Sequence, residues 1–193
     1  SQAVEVTKLS LLLRVLEGES EETIGKNLKL FRERALPDLG NNIKCGNSLI
    51  GPDFYKDQQM SFLDDDERYR INAFDWNSEF PAIMKAGGFD AVIGNPPYIQ
   101  LSMMDYYDQP TNDYISQNYT SSMGRLNTFG LFIERALSTI LQRGGYLSYI
   151  VPNTLLTQEY YQELRQAMLR YDLVSIATFR YPVFAGAVVE TTV

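Results

Sequence analysis

The chain has 193 residues, 45% of them hydrophobic and 21% charged, which is enough for one domain with a sizeable core, burying roughly two-thirds or more of its unfolded surface. Its formal charge of −7 argues against a chain that wraps nucleic acid by itself, since phosphate binding rests on clustered Lys and Arg. There is no histidine and one cysteine, Cys45, so Ser-His and Cys-His nucleophile pairs, the usual zinc sites and an internal disulfide are all excluded. Any chemistry must come from carboxylates, amides, hydroxyls or backbone groups, and no metal site is expected. No apolar run reaches the length of a membrane span and no basic-then-apolar leader opens the chain, so no membrane partner is expected and a reducing cytoplasm fits.

In chain order, QAVEVTKLSLLLRVLE (residues 2–17) reads as a helix with a broad apolar face, stopped by Gly18. NIKCGNSLIG gives a short strand over Ile43–Cys45 that breaks into a Gly46-Asn47-Ser48 turn. Residues 51–75 are acidic and poorly periodic and read as a loop or insertion, with Asp64-Asp65-Asp66-Glu67 a solvated run. Trp76 to Lys85 is a short amphipathic helix leading into a strand over Phe89–Gly94. Residues 100–127, rich in Tyr, Asp, Asn, Gln and Ser, read as a second long loop. Its tyrosines 106, 107, 114 and 119 belong to that loop, with DNA contact as the alternative.

TFGLFIERALSTILQRGG then places Phe129, Phe132, Ile133, Ala136, Leu137, Ile140 and Leu141 on one helical face, with Gly144 as the stop. YLSYIVP is the next strand. Thr157 is the predicted N-cap of a helix running to about Arg170, LVSIATF is another strand, and FAGAVVETTV begins a further one. Strand–helix alternation predicts a mostly parallel sheet in an α/β fold.

The most informative stretch is GFDAVIGNPPYIQ, residues 88–100. Ala91, Val92 and Ile93 form the continuous apolar run of a strand buried on both faces. Pro96 and Pro97 cannot donate to a ladder, so the strand must end there in a stiff, extended turn. The carboxyl ends of strands are where open α/β sheets bind ligands.

Asn95-Pro96-Pro97-Tyr98 after an apolar strand resembles the catalytic motif of amino-group methyltransferases that use S-adenosylmethionine. KCGNSL upstream, LFIERAL followed by GGYLSYIVPNTLL, and VFAGAVVETTV downstream resemble further motifs of the gamma-type adenine-N6 DNA methyltransferases, in the family's order and spacing. The likeness is strongest to the fused restriction–modification enzymes of bacteria, and weakest over residues 51–75 and 100–127. It implies site-specific methylation of an adenine turned out of double-stranded DNA, in a bacterial or archaeal cytoplasm. Asn95 and Pro96 would be catalytic, with Tyr98 stacking on the base and Phe184 packing it from another side; Asn47 and Phe132 would contact the cofactor. The family often has Asp where Asn47 stands, so an acceptor is kept and a charge lost.

Competing readings are an ordinary strand-ending turn for the tetrapeptide, core packing for Phe132 and Phe184, and a turn-forming amide for Asn47. The motif is shared with enzymes that methylate RNA guanine or release-factor glutamine, and a non-catalytic DNA-binding or assembly module is the alternative of another class. The family's Gly-rich cofactor loop and ribose-binding acid have no counterpart here, and neither does a target-recognition or nuclease domain. The resemblance therefore implies that residues 1–193 are the C-terminal part of a catalytic domain. Its Rossmann-like sheet would lack the first two strands and be completed by the N-terminal part of the same domain or by association of copies.

Overall fold

The computed structural model describes residues 2–17, 39–56, 65–100, 109–122, 127–179, 183 and 190–193. The chain forms two compact units, residues 1–47 and 48–193.

The first unit holds α1 (Gln2–Leu16), close to the predicted span. Ion pairs one turn apart, Lys8–Glu5 at 3.3 Å and Arg14–Glu17 at 2.9 Å, line its polar surface. Val6, Leu9, Leu11 and Leu13 are exposed. The amides of Asn42 and Ile43 both donate to the Leu39 carbonyl, making a turn. Residues 43–45 are not a strand: the backbone there is irregular, running from the turn at Leu39–Ile43 toward Asn47.

In the second unit, the stretch expected to be a loop after residue 50 is partly helical. A 3₁₀ turn, Pro52–Tyr55, starts at a proline, and α2 spans Asp65–Ile71. Asp65, Asp66 and Glu67 open α2, where carboxylates favour the positive end of the helix, and Ile71 buries its far end against Ile50 and Phe54. The single helix predicted over 76–85 divides into α3 (Trp76–Glu79) and α4 (Pro81–Lys85). Pro81 disfavours the helical conformation at the residue before it, and Phe80 sits at φ −131°, ψ 57°. Asp75 caps α3 by accepting from the amides of Asn77 and Ser78 at 3.0 and 3.3 Å.

Strand β1 (Phe89–Gly94) has the predicted bounds and pairs in parallel with β2 (Leu141–Tyr149). β2 begins five residues before the predicted start. Pairing runs from Ala91–Tyr146 to Gly94–Tyr149, while Phe89 meets Leu141, so residues 142–145 bulge between. Gly144 lies in that bulge at φ +81° and is not the helix stop. Gly88, at φ +122°, lets its backbone approach residues 140–142: a Cβ there would sit 2.5 Å from the Ile140 oxygen.

β1 is not buried on both faces. Leu147 and Tyr149 of β2 pack on the core, but Ala91, Tyr146, Ser148 and Ile93 (86% exposed) look away from it. Among the described residues only one face of this pair is covered.

The polar stretch 100–127 also contains a helix, α5 (Gln109–Asn118), and a 3₁₀ turn, Thr120–Ser122. Thr111 and Ile115, four apart, bury one side of α5. Tyr119 is 4% exposed and donates to the Leu49 carbonyl at 2.5 Å; Tyr114 donates to Asp53 at 2.9 Å and packs edge-on to Phe54. These two tyrosines are core and anchor residues, whereas Tyr106 and Tyr107 lie outside the described residues.

Helix α6 (Thr128–Arg135) carries the core. Phe129 and Ile133, with Leu137 beyond them, join Val151, Leu155, Tyr161 and Leu164 in one cluster. Leu131, with Phe132 against it, joins Leu49, Ile115 and Tyr119 in a second, so the predicted single face is two. A π-helical turn, Ala136–Ile140, ends the helix directly at β2.

β3 (Val151–Pro152) pairs antiparallel with β4 (Thr191–Thr192) in a two-stranded sheet separate from β1–β2, whereas one mostly parallel sheet was expected. Thr157 does not cap a helix: it ends α7 (Thr154–Thr157), and Gln158 is extended. A 3₁₀ turn Glu159–Tyr161 then leads into α8 (Gln162–Met168), with Arg165 bridging the break by donating to the carbonyls of Leu155 and Gln158 at 2.8 and 2.7 Å. Among the described residues, the part of LVSIATF that pairs is 177–179, with residues 191–193: Ala177 and Val193 exchange both backbone hydrogen bonds, and Phe179 donates to Thr191. Leu173, Val174 and Ile176 are exposed, and no described strand pairs with them.

Candidate active site

β1 points its carboxyl end at the two prolines. Asn95 is exposed at the strand terminus, Pro96 is buried, Pro97 is exposed and Tyr98 is half-buried. The buried Pro96 has no N–H to satisfy, so it can pack without leaving a donor stranded. β2 ends beside it: Tyr149 pairs with Gly94, and the Ile150 amide, one residue on, donates to the Gly94 carbonyl at 3.1 Å.

Tyr98 is held by both neighbouring elements. Its hydroxyl donates to the Ile150 carbonyl at 2.9 Å, and its ring meets Phe129 edge-on, with centroids 6.3 Å apart and planes at 88°. Burial raises the pKa of its phenol, so the hydroxyl stays a donor across the physiological range.

Thr128, which sequence reading passed over, lies against the same loop. Its hydroxyl donates to the Pro97 carbonyl at 2.5 Å and accepts from the Ile99 amide at 3.2 Å, and its own amide donates to the Ile99 carbonyl at 2.8 Å. A bridge between Gln100 and Asn127 continues this pairing. The thirty residues between the loop and Thr128 gave no local signal of it; only its place immediately before Phe129 at a helix start pointed to the region.

Phe132 is half-buried against the cluster of Leu49, Ile115, Tyr119 and Leu131, on a different face of α6 from the Tyr98 contact. Asn47, half-buried, is the last residue of the first unit. Phe184 lies outside the described residues.

On the same helix, Glu134 accepts from the Thr120 amide and hydroxyl at 2.9 and 3.0 Å and from the Ser121 amide at 2.8 Å. Partial burial works against its ionisation, but the hydrogen bonds from Ser121 and Thr120 outweigh it and hold the carboxyl below the usual range. Among the described residues no group of carboxylates or Cys could hold a metal ion, and no helix is long and apolar enough to cross a membrane.

A parallel strand that ends in an exposed amide, a buried proline and an anchored tyrosine, backed by helices, defines an α/β protein with its candidate site at the carboxyl end of β1. The family described as Eco57I restriction-modification methylase matches residues 1–184, and the chain belongs to that family. It is 33% identical over 165 residues, 85% of the chain, to the type II restriction enzyme and methyltransferase RM.Eco57I of Escherichia coli, and covers 14% of that protein. It is 30% identical over 66% of its length to a putative type II restriction enzyme and methyltransferase of Methanocaldococcus jannaschii, covering 10% of it. To the modification methylase CviBIII of Paramecium bursaria Chlorella virus NC1A it is 27% identical over 62% of its length, covering 29%. The matched segments thus span less than a third of each of these relatives.

Proposed function

We propose that this chain belongs to the catalytic domain of a DNA adenine-N6 methyltransferase with a Rossmann-like fold, acting within a longer protein. One observation carries the reading: Asn95-Pro96-Pro97-Tyr98 stands at the free carboxyl end of a parallel strand with its amide exposed and its tyrosine anchored. Membership of a restriction-modification methylase family supports it.

The amino group of adenine is a poor nucleophile because its lone pair is delocalised into the ring. The Asn95 side-chain oxygen and the Pro96 carbonyl can accept its two hydrogens and so favour a pyramidal nitrogen with an available lone pair. Such stabilisation is electrostatic, set in place before the reaction, and needs no base of tuned pKa. The ring of Tyr98 would stack on the extruded base, offsetting part of the few kcal/mol of unstacking. Base–aromatic stacking is worth about 1–3 kcal/mol. S-adenosylmethionine, when bound, supplies an electrophilic methyl group. A half-buried aromatic ring suits the flat face of an adenine, so Phe132 would pack beside that cofactor, with Asn47 as an acceptor and Phe184 on the target base.

The test is methyl transfer by the full-length protein, offered duplex DNA, RNA and release factor separately. Methylation of adenine in DNA that disappears in Asn95→Ala is the expected result. Transfer to RNA or release factor alone would replace the substrate, and DNA binding with no transfer to any of the three would replace catalysis with a binding role.

A further inference from the structure

Thr128 brackets Tyr98. Three hydrogen bonds join it to the residues on either side: hydroxyl to the Pro97 carbonyl, Ile99 amide to the hydroxyl, and Thr128 amide to the Ile99 carbonyl. We propose that Thr128 is a positioning residue that fixes the backbone of the Pro97–Ile99 segment and thereby the placement of Tyr98 and Asn95 toward the reacting amino group. This rests on the methyltransferase reading above.

The chemistry of the clamp is specific to a hydroxyl. One oxygen must donate to a carbonyl and accept from an amide at once, which Ser and Thr can do and an aliphatic side chain of the same shape cannot. Thr128 is 2% exposed, so water has little access to replace the lost bonds. The segment serves the helix in return: the first amides of an α-helix lack internal partners, and the Ile99 carbonyl takes that of Thr128. Next to it, Phe129 is fully buried and meets the Tyr98 ring at its edge. The start of α6 therefore grips both the backbone around Tyr98 and its side chain, while Pro96 and Pro97 stiffen the link back to Asn95. A catalytic group displaced by about 1 Å can lose on the order of a hundredfold in rate, so a residue that never touches substrate can still set turnover.

Thr128→Val and Thr128→Ser in the full-length protein separate this role from mere stability. Assayed well below the melting temperature of each variant, Thr128→Val should lower kcat by about tenfold or more with KM for the methyl donor changed less than about twofold, and Thr128→Ser should recover kcat to within about threefold. Exchange of the Ile99 amide should quicken in the valine variant and not in the serine variant. Should valine prevent folding, Thr128→Cys, whose thiol is a weak donor and acceptor, should fall between serine and a lost clamp in both measurements. Normal kcat in an active protein carrying Thr128→Val or Thr128→Cys would overturn the positioning role alone, as would a serine variant as impaired as the valine one. An unmodified protein that transfers no methyl group to DNA, RNA or protein would overturn the reaction assigned above, and this role with it.

Discussion

The Tyr98 hydroxyl donates to the Ile150 carbonyl at 2.9 Å, across 52 residues of sequence. Ile150 also donates its amide to Gly94, the last residue of β1, so the end of β2 holds the proline turn at its root and at its tyrosine. Tyr98 enters the site already ordered. A base that stacks on it would not have to immobilise the ring, which saves roughly 0.5–1.5 kcal/mol of side-chain ordering.

Replacing Tyr98 by Phe removes one hydrogen bond and keeps the ring. Stability should fall by about 1 kcal/mol, measured by urea denaturation, with methyl transfer affected mildly. Tyr98→Ala also opens a gap against Phe129 and should destabilise by about 2–4 kcal/mol while slowing methylation of duplex DNA strongly. Equal losses of activity for Phe and Ala would assign the hydroxyl, and not the ring, to the reaction.

Asn95 is exposed, so Asn95→Ala should leave stability within about 0.5 kcal/mol of the parent. In the full-length protein it should lower methyl transfer by about a hundredfold or more, with cofactor affinity changed only a few-fold. Calorimetry of cofactor binding beside a turnover assay checks both halves.

Glu134 contributes a pH dependence on the acid side. Its carboxyl titrates below the usual range when folded, so the unfolded chain binds the proton more readily and stability rises with pH between the two values. The contribution should be complete above the ordinary glutamate pKa of about 4.3 and be lost as pH falls through the lower folded value. Glu134→Gln should reduce stability by about 1 kcal/mol near neutrality and less at acid pH, read as melting temperature across the range.

Gly88 is restricted by space and by conformation together. A methyl group at 88 would meet the Ile140 oxygen at 2.5 Å, whereas one at Gly87, also at positive φ, meets nothing within 4 Å. Gly88→Ala should therefore destabilise by more than about 2 kcal/mol, and Gly87→Ala by about 1–2 kcal/mol from backbone strain alone. Denaturation of the two variants side by side decides it; equal losses would mean that the approach to β2 is not tight.

By itself the sequence determined β1 to its ends, because an unbroken apolar run stopped by two prolines has one regular reading. It determined the parallel pairing and the helix start before Phe129, where apolar spacing of four residues is unambiguous. It did not determine α5, whose polar residues conceal the one buried side set by Thr111 and Ile115, nor the burial of Tyr114 and Tyr119, whose hydroxyls find Asp53 and Leu49 more than sixty residues away. Residues 43–45 and 173–176 are irregular for a converse reason: β-branched and apolar residues favour an extended chain, but local preference alone does not make a strand, and among the described strands none pairs with 173–176. At the candidate site, the end of the strand and its stiff turn were legible from the two prolines, while the catalytic reading of Asn95 and Tyr98 rests on the likeness to a family. The hold that Thr128 and Ile150 have on them was decided by tertiary structure alone, because a hydrogen bond to a backbone carbonyl leaves no mark on the sequence of its acceptor.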